Sequence, residues 1–139
     1  MNIKLKRLDN AFHFEAKNEE GQTMQLDNSL ANGGHNKGVR PMQTLLMALG
    51  GCSAIDVVTI LNKQRQTIED FQISIDGERE KGKEPSLWET IHIIFKLKGK
   101  LEKEKVERAV ALSMEKYCSV AKTLEKTAKI SYSISINEE

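Results

Sequence analysis

One apolar run, Met42 to Leu61, constrains this 139-residue chain more than any other feature. Pro41 introduces it, and proline suits the first helical position because its missing N–H is not needed there. Met42, Leu45, Leu46, Met47, Leu49, Ile55, Val57, Val58, Ile60 and Leu61 then occupy most of a helix circumference. A helix apolar on all sides has to be surrounded, by its own domain or by a partner subunit. The run also carries Gln43, Thr44, Ser53, Asp56 and Thr59. A central aspartate costs about 2.5–3.5 kcal/mol on membrane insertion, so the expectation is a buried soluble helix with no membrane partner. Gly50-Gly51 interrupts it, at about 1 kcal/mol per glycine relative to alanine. That cost predicts a close approach there, or a bend.

The flanking patterns predict an α+β chain. Ile3 and Leu5, then Phe12, Phe14 and Ala16, then Met24 and Leu26 recur with period two, the pattern of a meander of short strands. Ser29 to Arg40 reads as a loop of about twelve residues, long enough to suggest a functional role. Phe71, Ile73 and Ile75 alternate on one predicted strand. Ile91, Ile93, Phe95 and Leu97 alternate on the next, across a turn at Lys81–Pro85. From Leu101 to about Ala128 the period becomes helical, with Val106, Ala109, Val110, Ser113 and Tyr117 on one stripe. Ile130, Tyr132, Ile134 and Ile136 close the chain as a strand. With no repeats and no low-complexity linker, residues 1–139 read as a single domain.

Charge excludes one class of partner. Lys+Arg of 21 against Asp+Glu of 20, interspersed, leave no basic stripe for nucleic acid. The first residues, MNIKLKRLDNAF, lack an apolar signal core, so a cytoplasmic location with reduced thiols is expected.

Two cysteines carry the candidate chemistry. Cys52 follows Gly50-Gly51 in the apolar helix, and Cys118 lies 66 residues later in KYCSVAKTL. Buried cysteines are commonly inert core residues. Paired across a helix contact, the two would instead form a peroxidatic and a resolving thiol, one oxidised to sulfenic acid and the other condensing with it. Spacing alone leaves both readings open, because a disulfide needs Cα atoms within about 7 Å. Asp56 falls one turn beyond Cys52 on the same face; it either pairs with a cation near the thiol or makes an internal bond that fixes the helix. His13, His35 and His92 form no metal pattern, and no C-x-x-C or H-x-x-x-H spacing supports one, so no metal or cofactor is expected. His35, in the glycine-bearing loop, either lines a pocket or is simply solvated.

The run Arg40 to Val57, RPMQTLLMALGGCSAIDV, resembles the first cysteine helix of the OsmC/Ohr family, and Tyr117-Cys118-Ser119-Val120-Ala121 resembles its second cysteine motif. The resemblance covers the chain in element order. It implies an OsmC-like fold: a strand meander, a buried cysteine helix, a hairpin, a second cysteine helix and a final strand. It further implies reduction of organic hydroperoxides by Cys52 (peroxidatic) and Cys118 (resolving), a dithiol reductant, and an intertwined homodimer that would cover the apolar helix.

The chain also departs from the better-known branches, in which a glutamate after the helix-initial proline orients an arginine against the thiol. Here Met42 and Gln43 stand at that place. Arg40 precedes Cys52 by about 18 Å of helix at 1.5 Å per residue, placing it for a pocket mouth or a partner subunit's site. The missing pair predicts a peroxidase slow at neutral pH, or else a non-catalytic or small-ligand-binding dimer. Arg40, Met42, Gln43, Asp56 and His35 are the candidate supporting residues.

Overall fold

Alternation over residues 3–26 becomes three four-residue strands, β1 (Lys4–Arg7), β2 (Phe14–Lys17) and β3 (Thr23–Leu26), paired antiparallel in the order β1-β2-β3. The computed structural model describes residues 1–138 and divides into two compact units, Met1–Leu45 and the chain from Leu46 onward. In the first unit Asp9 and Asn18 build the strand connections. Asp9 Oδ1 accepts the N–H groups of Ala11 and His13, and Asn18 Oδ1 accepts those of Glu20 and Gln22.

The loop after β3 is tied down by Asp27, which is buried. Its carboxylate accepts the backbone N–H of Asn28, His35 and Lys37. Burial pushes this carboxyl up, but those three donors outweigh it and hold it below the usual range. Val39 bridges to Leu26, and Gly38 passes so close to Gln25 that a Cβ would lie 2.5 Å from its carbonyl. The predicted long loop is therefore an ordered strap with a short 3-10 turn at Leu30–Asn32.

Helix α1 (Pro41–Lys63) starts where proline predicts. In the second unit, β4 (Thr67–Arg79) pairs antiparallel with β5 (Trp88–Lys100), both longer than their apolar alternation alone marks out. The final strand β6 (Lys129–Ile136) runs parallel to β5, from Thr90↔Lys129 to Leu97↔Ile136. Parallel neighbours need a long crossover, supplied here by α2 (Lys103–Leu112) and α3 (Ser119–Leu124). Ile91, Ile93, Phe95 and Leu97 are buried in one cluster with Leu49, Val57 and Leu61 of α1 and Val106, Ala109 and Val110 of α2.

One expectation changes. The helix predicted from Leu101 to Ala128 is interrupted by a π-helical turn, Ser113–Tyr117, and by Cys118 in an extended conformation (φ −73°, ψ 102°). The wider turn rotates the succeeding residues out of the 3.6-residue register, so Tyr117 leaves the buried stripe and is 50% exposed. Helix α1 is covered by this chain along one face, at Leu49, Gly50, Ser53, Val57 and Leu61. Gly50 lies against β4, where a Cβ would stand 3.0 Å from Cδ1 of Ile75, whereas Gly51 faces open space. Met47 and Ile55, on the opposite face, are 50% and 69% exposed.

Candidate active site

Helix α1 presents Cys52 and Asp56 one turn apart, and the break between α2 and α3 presents Cys118. The two sulfurs and a carboxylate oxygen of Asp56 all lie within 4.8 Å of one another. Both cysteines are free thiols. Cys52 is half-buried, and Cys118 is fully buried.

The π turn accounts for this convergence. Its closing bond runs from the N–H of Cys118 to the carbonyl of Ser113, five residues back, at 2.7 Å. The same turn aims the Ser113 hydroxyl at Asp56, donating to Oδ2 at 2.9 Å. Cys118 then caps α3, its sulfur accepting the N–H of Ala121 at 3.4 Å. Burial pushes the Cys118 thiol up; the Ala121 N–H opposes this, Cys52 and Asp56 add to it, and the result is about 11. Cys118 is thus a protonated thiol at neutral pH.

Asp56 also borders an open groove of about 510 Å³, lined with Thr59, Ile60, Lys63, Gln64, Leu112 and Tyr117. Thr59 and Lys63 follow Asp56 along one stripe of α1, by the helical spacing. The groove gives solvent and small molecules a route to the carboxylate beside the thiols.

The other sequence candidates lie in the first unit, and the bonds of three of them run within it. Arg40 donates to the carbonyls of Gly38 (2.7 Å) and Asp27 (3.3 Å) and to the side chain of Asn36. Gln43 accepts the Arg40 N–H at 2.9 Å, closing the start of α1. His35 pairs with Asp9 at 3.2 Å. Met42 occupies the second position of α1. Of the supporting candidates, Asp56 alone is brought to the two thiols by contacts within one unit. Ser113, read from the sequence only as a member of a buried stripe, joins them; a buried serine on an otherwise apolar stripe was the available signal.

Two cysteines on neighbouring helical segments packed on a three-stranded sheet, preceded by a strand meander, define an OsmC-type thiol protein. The chain belongs to the OsmC-like protein family, whose model matches residues 34–133. Among known proteins it is similar to Protein YhfA of Escherichia coli (strain K12), 46% identical over 102 residues that cover 73% of this chain and 75% of that one. A hypothetical protein from Aquifex aeolicus VF5 has a similar structure, with a TM-score of 0.80, 35% identity, and coverage of 99% of this chain and 97% of that one. The organic hydroperoxide resistance protein OsmC from Legionella pneumophila shares the fold, with a TM-score of 0.72 at 16% identity over 97% of each chain.

Proposed function

We propose that this protein is a cytoplasmic homodimeric thiol peroxidase that reduces organic hydroperoxides. The observation that carries this reading is the approach of the Cys52 and Cys118 sulfurs to within 4.8 Å, one thiol reachable and the other sheltered. The Cys52 thiolate attacks the peroxide ROOH, breaking the O–O bond; the alcohol ROH leaves after gaining a proton, and Cys52 becomes a sulfenic acid. The Cys118 thiol condenses with it, releasing water and forming a disulfide. An external dithiol returns both cysteines to thiols and is itself oxidised to a disulfide. The disulfide requires the two sulfurs to close from that separation to about 2.05 Å. The exposed Met47–Ile55 face of α1 supports the dimer, since it is where a second copy would complete the burial of the helix.

The test is consumption of cumene hydroperoxide with dithiothreitol as reductant. Turnover that Cys52→Ser abolishes, with Cys118→Ser driving Cys52 to sulfinic acid, supports the reading. A correctly folded, reduced protein that consumes no hydroperoxide overturns it. One observation favours a second reading, a non-catalytic or small-ligand-binding dimer: Met42 stands where the family resemblance implies glutamate, and Arg40 is bonded into its own loop. Absence of turnover together with retained dimerisation would select it.

A further inference from the structure

We propose that the reduced Cys52–Cys118 pair and Asp56 form a binding site for one thiophilic divalent cation per chain, Zn²⁺. Two thiolate sulfurs and a carboxylate oxygen are a donor set suited to zinc, and thiolates select against the hard cations Mg²⁺ and Ca²⁺. A tetrahedral ion with Zn–S bonds of about 2.3 Å places two sulfurs about 3.8 Å apart. The three donors already stand within 4.8 Å of one another without a bond between them, so side-chain adjustments suffice.

The surroundings resemble those of a built site. Ser113 holds Oδ2 of Asp56 at 2.9 Å, and a hydrogen bond to a ligating carboxylate fixes its plane in the way outer-sphere partners do in metal sites. Cys118 is anchored at both sides, its N–H on Ser113 and its sulfur on the Ala121 N–H. The groove reaching Asp56 supplies the entry path. Three protein donors leave the fourth position to water, the arrangement of an open zinc site. Spacing rules miss this set because its members come from α1 and from the break between α2 and α3, with only Cys52 and Asp56 near in sequence.

Binding displaces the two thiol protons to solvent and occupies both sulfurs. The metal and a Cys52–Cys118 disulfide therefore exclude each other. This inference stands whether or not the protein turns over hydroperoxides, because it concerns the reduced thiols alone.

The experiment titrates Co²⁺ into the reduced full-length protein, then Zn²⁺ against a chromophoric chelator. The expected results are a sulfur-to-cobalt charge-transfer band saturating at one ion per chain, displacement by Zn²⁺, and loss of binding after diamide oxidation to the disulfide. Asp56→Asn is expected to weaken Zn²⁺ at least ~10-fold and Ser113→Ala about 10-fold, within the range for ligand-supporting groups. Absence of the charge-transfer band, or wild-type affinity in folded Asp56→Asn, overturns the proposal. If the variants fail to fold, maleimide labelling of the wild-type protein decides. Protection of the reachable Cys52 by Zn²⁺, reversed by chelator, supports the site; labelling of Cys52 unchanged by Zn²⁺ overturns it.

Discussion

The hydroxyl of Ser113 donates to Oδ2 of Asp56 at 2.9 Å, so a buried residue at the head of the π turn holds the carboxylate that stands beside both thiols. A hydrogen bond to a charged group contributes about 1.5–3 kcal/mol. Because Asp56 is half-buried, Ser113→Ala is expected to cost about 1.5 kcal/mol, near the low end, in urea unfolding. No change in midpoint would mean that water replaces the hydroxyl without loss.

The two thiols should react in order. Cys52 is half-buried, whereas Cys118 is buried and its thiol is pushed up to about 11. Iodoacetamide at pH 7.5 should modify Cys52 at least about tenfold faster, since the thiolate is the nucleophile and needs access. Peptide mass spectrometry of a time course reads the order; equal rates would contradict the burial of Cys118.

The same shift makes a statement about alkaline stability. An unfolded cysteine loses its proton near 9.0, while folded Cys118 keeps it to about 11. Between those values the folded state binds more protons than the unfolded one, so stability falls as pH rises. The contribution is fully present below about pH 9, and its loss by pH 11 is on the order of 2–3 kcal/mol. Urea unfolding of the reduced protein from pH 8 to 11 should decline more steeply than that of Cys118→Ala. Parallel profiles would refute the shift.

Gly50 and Gly51 are adjacent but should respond oppositely. Gly51→Ala meets nothing within 4 Å and should stabilise α1 in the isolated chain by up to about 1 kcal/mol. Gly50→Val drives a branched side chain toward Ile75, whose Cδ1 already stands 3.0 Å from the position of a Cβ. Overpacking of this kind costs about 1–3 kcal/mol. Thermal melts of the two variants give the comparison.

Ile55 is 69% exposed on the uncovered face of α1. Ile55→Lys should therefore leave the chain folded by circular dichroism while converting a dimer to a 15.7 kDa monomer in sedimentation velocity. A dimer unaffected by this charge would place the interface elsewhere.

Local patterning was enough to mark most elements. Pro41 at the helix start, alternation at Ile91, Ile93, Phe95 and Leu97, and alternation from Ile130 to Ile136 reflect backbone geometry that repeats every two or 3.6 residues, so a short window of sequence contains them. The residue types of the thiol site were legible for the same reason: Cys52 and Asp56 share a helix face by spacing alone. The π turn was not legible, because α-helical and π-helical turns present similar residues and differ in where the backbone bond closes. Nor was the parallel pairing of β6 with β5, which depends on a crossover rather than on either strand's own pattern. The approach of Cys118 to Cys52, and of Ser113 to Asp56 across 57 positions, exists only once α1 and the crossover pack on one sheet. Sequence determined which chemical groups this chain holds and on which elements; tertiary packing alone decided their distances, because contact between remote residues is set by the shared burial of apolar surface and leaves no periodic trace in the chain.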